Sequence, residues 1–160
     1  MIRLLTGLVL LLAGADLPAA GLERVTAARV HELVRAEKPR VVLLNLWSTW
    51  CKPCMEKFPE LAALARSMAD RPFTILHVST DFRGQAAAVE KTLNRYRVKH
   101  KYMKGQSDQE FITGIHKDWS GSLPFMMIFD KTGKVVFHHE GNLKKPVLLK
   151  RINLVMGKRS

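Results

Sequence analysis

Trp47-Ser48-Thr49-Trp50-Cys51-Lys52-Pro53-Cys54 contains the only two cysteines of the 160-residue chain. An apolar run, Val41 to Trp47, leads into it, and an apolar-periodic segment, Met55 to Ala69, follows. A strand that ends at a Cys-x-x-Cys which itself opens a helix is the setting in which this motif reads as a redox pair. Two thiols this close in sequence close a very small loop, and the chain-entropy gain of a disulfide grows with loop length. The pair is therefore poorly placed as a structural staple and well placed as a reversible bond.

Working outward, the length argues for one domain. A domain near this size buries about 68–70% of its unfolded-chain surface, enough for a core without disulfides. Ala27, Val30 and Val34 share a helical face that Lys38-Pro39 ends. Val41 to Trp47 is almost wholly apolar and β-rich, broken only by Asn45, and reads as a central strand covered on both faces. The helix after the cysteines carries the stripe Phe58, Leu61, Leu64, Met68, with Pro59 placed to kink it. Phe73 to Ser79 is a second strand, and Asp81 to Gly84 a loop. Ala86, Val89, Leu93 and Tyr96 mark a third helix, followed by a short strand from Val98 to Met103. Ser107 and Glu110 form a capping-box pattern before Phe111, Ile112 and Ile115. Phe125–Phe129 and Val135–His139 flank Asp130-Lys131-Thr132-Gly133 as a β-hairpin. Leu148, Leu149, Ile152 and Val155 give a last helix. Strands alternate with helices and an antiparallel hairpin closes the sheet, so the expected fold is an α/β three-layer sandwich with a mixed central sheet flanked by helices.

Arg3 followed by the apolar stretch Leu4 to Ala15 and the small-residue pattern Ala13-Gly14-Ala15 reads as a targeting segment, too short for a comfortable membrane span. Residues 1–20 are expected to be a signal peptide or an N-terminal membrane anchor, with residues 21–160 as the domain. Export places the dithiol where the surroundings oxidise thiols, so a partner must maintain its working state. The formal net charge of +12 comes from 26 Lys+Arg against 14 Asp+Glu. The basic residues are scattered and carry no RNA- or DNA-module signature, which argues for a solvated basic surface and against nucleic acid as a partner.

These residues resemble the thioredoxin fold, and more narrowly the exported TlpA/ResA-type thiol–disulfide oxidoreductases. The resemblance rests on Trp47, Trp50-Cys51-Lys52-Pro53-Cys54, Pro59, Leu123-Pro124 and the hairpin from Asp130 to Val136, over roughly residues 25–156. Three positions depart from the family pattern. Asn45 stands where thioredoxins usually carry a buried Asp, Lys57 where the exported group often has Glu, and Phe125 where a Thr commonly follows the cis-Pro.

Cys51 is the candidate nucleophile. The thiolate is the attacking species, and a helix N-terminus with Lys52 beside it lowers the thiol pKa. Cys54, one turn into the helix, is the resolving thiol. The resemblance implies a redox disulfide between Cys51 and Cys54 and a cis Leu123–Pro124 bond lying against it. It also implies substrate contacts from Trp50, Lys52, Pro53, Leu123 and Pro124. With Asn45 in the usual Asp place, Asp81 at the end of the second strand is a candidate proton acceptor for Cys54, or equally a turn-capping Asp.

No cofactor is expected, since no dinucleotide-type Gly motif is present. A peroxidase reading lacks a separate cysteine upstream. No metal site is expected: His138 and His139 point to opposite sheet faces, and His31, His77, His100 and His116 show no metal spacing. The resemblance implies, as the leading reading, an extracytoplasmic, periplasmic-type reductase in a specific pathway such as cytochrome c maturation or copper-site assembly. It would act as a monomer on protein disulfide or dithiol substrates and draw on an upstream membrane electron donor. The alternatives are a dithiol oxidase, and a Cu(I)-binding chaperone that uses the same thiols as soft ligands.

Overall fold

The computed structural model describes residues 21–157, and the targeting segment read in residues 1–20 lies outside them. Its strands are β1 Glu23–Val25, β2 Val41–Trp47, β3 Phe73–Ser79, β4 Tyr102–Lys104, β5 Phe125–Phe129 and β6 Val135–Glu140. Its helices are α1 Ala27–Ala36, α2 Lys52–Ser67, α3 Ala86–Arg95, α4 Asp108–Ile115 and α5 Lys145–Val155. The strands form one mixed sheet in the order β1-β4-β3-β2-β5-β6. β1, β4, β3 and β2 run parallel to one another, β5 runs antiparallel to β2, and β6 antiparallel to β5.

Every residue of β2 is buried, because successive side chains enter two different cores. Val42, Leu44 and Leu46 pack with Val30 and Val34 of α1 and with Phe111 and Ile115 of α4. Val41 and Leu43 pack with Leu61 and Leu64 of α2 and with Leu148 and Ile152 of α5. Trp47 meets Phe58 of α2 and Val89 and Leu93 of α3. Helices therefore cover both faces, which is the three-layer α/β sandwich with a mixed sheet. Each of these large apolar side chains contributes roughly 1.5–3 kcal/mol by leaving water.

Local chemistry sets the element ends. The Thr26 hydroxyl accepts the Arg29 N–H at 3.2 Å and starts α1. The capping box at α4 is formed: Ser107 Oγ accepts the Glu110 N–H, and Glu110 accepts the Ser107 N–H at 3.3 Å. In the β5–β6 turn, Gly133 sits at φ +81°, a conformation that disfavours a side chain.

Two strands differ from the sequence reading. β1 is only three residues long and pairs in parallel with β4 at the sheet edge, too short to show a periodicity. β4 begins at Tyr102 rather than near Val98. The chain leaving α3 is still occupied in closing the helix: Arg97 adopts φ 56° and the Val98 N–H donates to Leu93 O at 2.9 Å.

Candidate redox site

α2 opens on Cys51. This residue has extended backbone (φ −82°, ψ 97°) and its Sγ accepts the Cys54 N–H at 3.3 Å. A sulfur thus fills the place that a hydroxyl or carboxylate usually takes at a helix N-cap. Pro53 falls in the first turn, where a missing N–H costs nothing. Cys51 and Cys54 are joined as a disulfide, with an S–S distance of 2.00 Å. Both are recessed, 5% and 3% exposed. A thiolate at Cys51 faces the unpaired N–H groups and the positive end of α2, which together favour the charged form. The Lys52 ammonium is largely in solvent and stands 4.0 Å from Glu56, so it adds little.

Aromatic rings brace the turn from below. Phe58 meets Trp47 edge-on with centroids 4.5 Å apart and stacks on His77 at 4.9 Å. His77 faces Asn45 across the β2–β3 ladder, and Asn45 Nδ2 lies 3.1 Å from His77 Nδ1. Burial pushes the His77 imidazole down to about 4, so it is neutral at ordinary pH. The place where thioredoxins usually carry a carboxylate therefore holds an uncharged amide–imidazole pair. Lys57, in the family's Glu position, turns elsewhere: its buried ammonium donates to Leu143 O and pairs with Glu60 at 3.2 Å.

Asp81 is buried and fully engaged. Its carboxylate accepts the Thr49 N–H at 2.9 Å, the Thr49 hydroxyl, and the Ser79 hydroxyl at 2.7 Å. These bonds tie the end of β3 to the turn that precedes Cys51. Among the described residues no hydrogen bond joins Asp81 to either cysteine.

The Leu123–Pro124 peptide is cis, and Leu123 packs against the cluster that holds both cysteines. Its loop is pinned from two sides. Trp119 Nε1 donates to Ser122 O at 2.9 Å, and Ser120 donates its N–H and hydroxyl to Glu140 of β6 at 2.9 and 2.7 Å. Gly121 sits at φ +96°, and a Cβ there would stand 2.7 Å from Ile112 Cδ1, so the loop requires glycine.

Trp50 and Leu123 line one groove of about 240 Å³, together with Phe82, Lys104 and Trp119. Trp50 and Phe82 are 58% and 62% exposed. Lys104 pairs with Asp108, and its ammonium lies 5.7 Å from the Phe82 ring centroid. Of the residues expected from sequence, the structure brings Cys51, Cys54 and Leu123 into one cluster and Trp50 into the groove beside it. Asp81 lies in an adjoining hollow with Phe82 and Lys104. Sequence reasoning missed Phe82, Lys104, Trp119 and His77. Only Phe82 left a signal, as a lone aromatic in a polar loop.

The AhpC/TSA family model matches residues 14–154, and the chain belongs to that family. It is similar to the thioredoxin-like protein YneN of Bacillus subtilis (strain 168), 26% identical over 118 residues, 73% of this chain and 66% of that protein. It is also similar to the thiol-disulfide oxidoreductase ResA of Bacillus thuringiensis (strain Al Hakam). That match is 34% identical over 101 residues, 62% of this chain and 54% of that protein. The chain thus spans between about half and two thirds of the length of these relatives. Among solved structures, it matches a thiol:disulfide interchange protein of the thioredoxin family from Chlorobium tepidum TLS. The TM-score is 0.63 at 18% identity, over 76% of this chain and 83% of that one. The fold is the thioredoxin fold.

Proposed function

We propose that this AhpC/TSA-family chain is an exported thiol–disulfide oxidoreductase that exchanges the Cys51–Cys54 dithiol with disulfides of protein substrates. In this reading it works as a reductase in cytochrome c maturation or copper-site assembly. The observation that carries the reading is the position of Cys51: its sulfur caps α2 beside the exposed Trp50, with Leu123 packed against the disulfide cluster. The names of the relatives agree with the chemistry, and the direction and the pathway follow from the resemblance.

The reaction runs in two exchanges. The Cys51 thiolate attacks one sulfur of a substrate disulfide, the substrate S–S bond breaks, and the departing sulfur leaves as a thiolate that takes up a proton. Cys54 then loses its proton and attacks Cys51 Sγ. The mixed disulfide breaks, the Cys51–Cys54 bond forms, and the second substrate thiol is released. The substrate gains two electrons and the protein loses them, so a dithiol or electron donor must restore the reduced pair. An extracytoplasmic protein draws these electrons from a membrane-held donor, and the segment in residues 1–20 directs the chain to that side as a signal or an anchor.

Each site residue has a part. Trp50, Lys52 and Pro53 present the surface around Cys51. Leu123 and Pro124 offer backbone to an extended substrate segment, and Phe82 and Trp119 extend the apolar groove. Asp81 holds the Trp47–Trp50 turn through Thr49. The carboxylate contacts favour this positioning role over proton transfer to Cys54.

Two measurements test the reading. Proteins trapped as mixed disulfides on a Cys54→Ser variant in its native compartment should include apocytochrome or copper-site thiol proteins; capture of neither class overturns the pathway. A glutathione-poised titration should give a potential more reducing than about −200 mV, and a value near −120 mV would make the protein an oxidant.

A further inference from the structure

At the β6 edge, on the sheet face opposite α2, three side chains from two stretches of the sequence converge. His116 terminates α4, Asp118 follows in the loop, and His138 lies on β6 across from Met127. One ligating atom from each stands within 4.8 Å of the other two. Asp118 Oδ2 is 3.9 Å from His116 Nδ1 and 3.8 Å from His138 Nε2, and the two imidazole centroids are 4.3 Å apart. At these separations neither Asp118 contact is a hydrogen bond. The three side chains converge without hydrogen-bonding to one another.

The surroundings prepare the cluster. Phe125 lies close to both rings, with centroids 6.2 Å from His116 and 6.1 Å from His138. The Asp118 N–H donates to His116 Nδ1 at 3.2 Å, so that nitrogen carries a lone pair and the ring proton sits on Nε2. Lys117 occupies Asp118 Oδ1 at 3.1 Å and leaves Oδ2 to face the histidines. The Lys117 pair is exposed and yields easily.

We infer that His116, Asp118 and His138 form a binding site for a divalent cation of the zinc class, with solvent in the fourth position. Two imidazoles and one carboxylate are a donor set suited to late first-row cations, and a poor one for magnesium, which takes oxygens. Bonds of about 2.0–2.2 Å place tetrahedral ligands roughly 3.3–3.5 Å apart. The 3.8 and 3.9 Å separations must therefore close by about half an ångström, a shift within reach of exposed side chains such as Asp118 and His138. The weak Asp118 N–H bond to Nδ1 is exchanged for the bond to the cation. Residue spacing does not reveal this site, because adjacency alone pairs His138 with His139, which faces the other side of β6. A bound cation ties the end of α4 to β6, one residue before Trp119 enters the groove loop.

The test uses untagged protein with the Cys51–Cys54 disulfide formed, so that the thiols are not ligands. Zinc is titrated against a chromophoric chelator. The expected result is one zinc per chain, weakened at least roughly tenfold by His138→Ala and by Asp118→Asn, and unchanged by His139→Ala. In the unsubstituted protein, zinc should shift the ring resonances of His116 and His138 and leave those of His139 in place, a readout that needs no variant to fold. Absence of stoichiometric binding, binding that survives His138→Ala, or equal affinity for magnesium would overturn the inference.

Discussion

The redox turn and the His116–Asp118–His138 cluster lie on opposite sides of the sheet and are built on different plans. The turn is contiguous in sequence, recessed, and braced by Phe58, Trp47 and the Asn45–His77 pair, with Asp81 fastening it through Thr49. The edge cluster is gathered from two segments, the end of α4 and β6, is half exposed, and is joined by contacts of nearly 4 Å. A nucleophile must be held where the helix terminus can act on it, so its support runs into the core. A cation can draw its own ligands together, so its site needs little support beforehand. Changes around the turn should therefore disturb fold and chemistry together, whereas changes at the edge should disturb binding alone.

The sharpest structural test of this contrast is Phe58→Ala. The ring is fully buried between Trp47, His77 and Tyr96, and its loss should destabilise the protein by about 3–5 kcal/mol, read as a lower denaturant midpoint. A cost below about 1 kcal/mol would mean that the turn is not braced from beneath.

His77 provides the next test, through pH. Its folded-state value is depressed from 6.5 to about 4 by burial. Below the unfolded value the unfolded chain binds the proton first, so stability falls as the pH drops from about 6.5 to about 4. The full contribution is about 3 kcal/mol, present above the upper limit and gone below the lower one. Urea unfolding across this range should show the slope in the wild type, and His77→Leu should flatten it. Equal slopes in both would remove His77 from the account.

Asp81→Asn comes third. The amide keeps the buried site filled but loses a charged acceptor of the Thr49 and Ser79 bonds, at a cost of about 1–3 kcal/mol. Thiol exchange should slow while its pH profile keeps its shape. A displaced profile would instead make Asp81 a proton acceptor for Cys54. The smallest effect is expected at the edge: His138→Ala should change stability by less than about 0.5 kcal/mol and leave thiol exchange untouched. A larger loss of either would join the two regions that the structure separates.

These outcomes bear on what a reader of the sequence can see. β2, β3 and the β5–β6 hairpin were legible because long apolar runs and turn residues mark them directly. β1 left no signal and β4 was placed a few residues early, since three-residue strands carry no period and are set by the strands they pair with. The cysteines, Trp50 and Leu123-Pro124 stood out because their meaning lies in local spacing. The partner of Asp81 did not. The parallel register that sets Trp47 opposite Ser79 also brings Thr49 near Asp81, and register cannot be read from either strand alone. The edge cluster was further from view, since it needs both the Met127–His138 pairing and the way α4 ends.

The proposed roles, attack by Cys51 and resolution by Cys54, can be separated by mixing reduced Cys54→Ser and Cys51→Ser variants individually with a disulfide-bonded peptide and following adducts by mass spectrometry. Cys54→Ser should form a stable mixed disulfide at Cys51 rapidly, and Cys51→Ser should react far more slowly through Cys54. Equal rates, or faster capture at Cys54, would contradict the assignment.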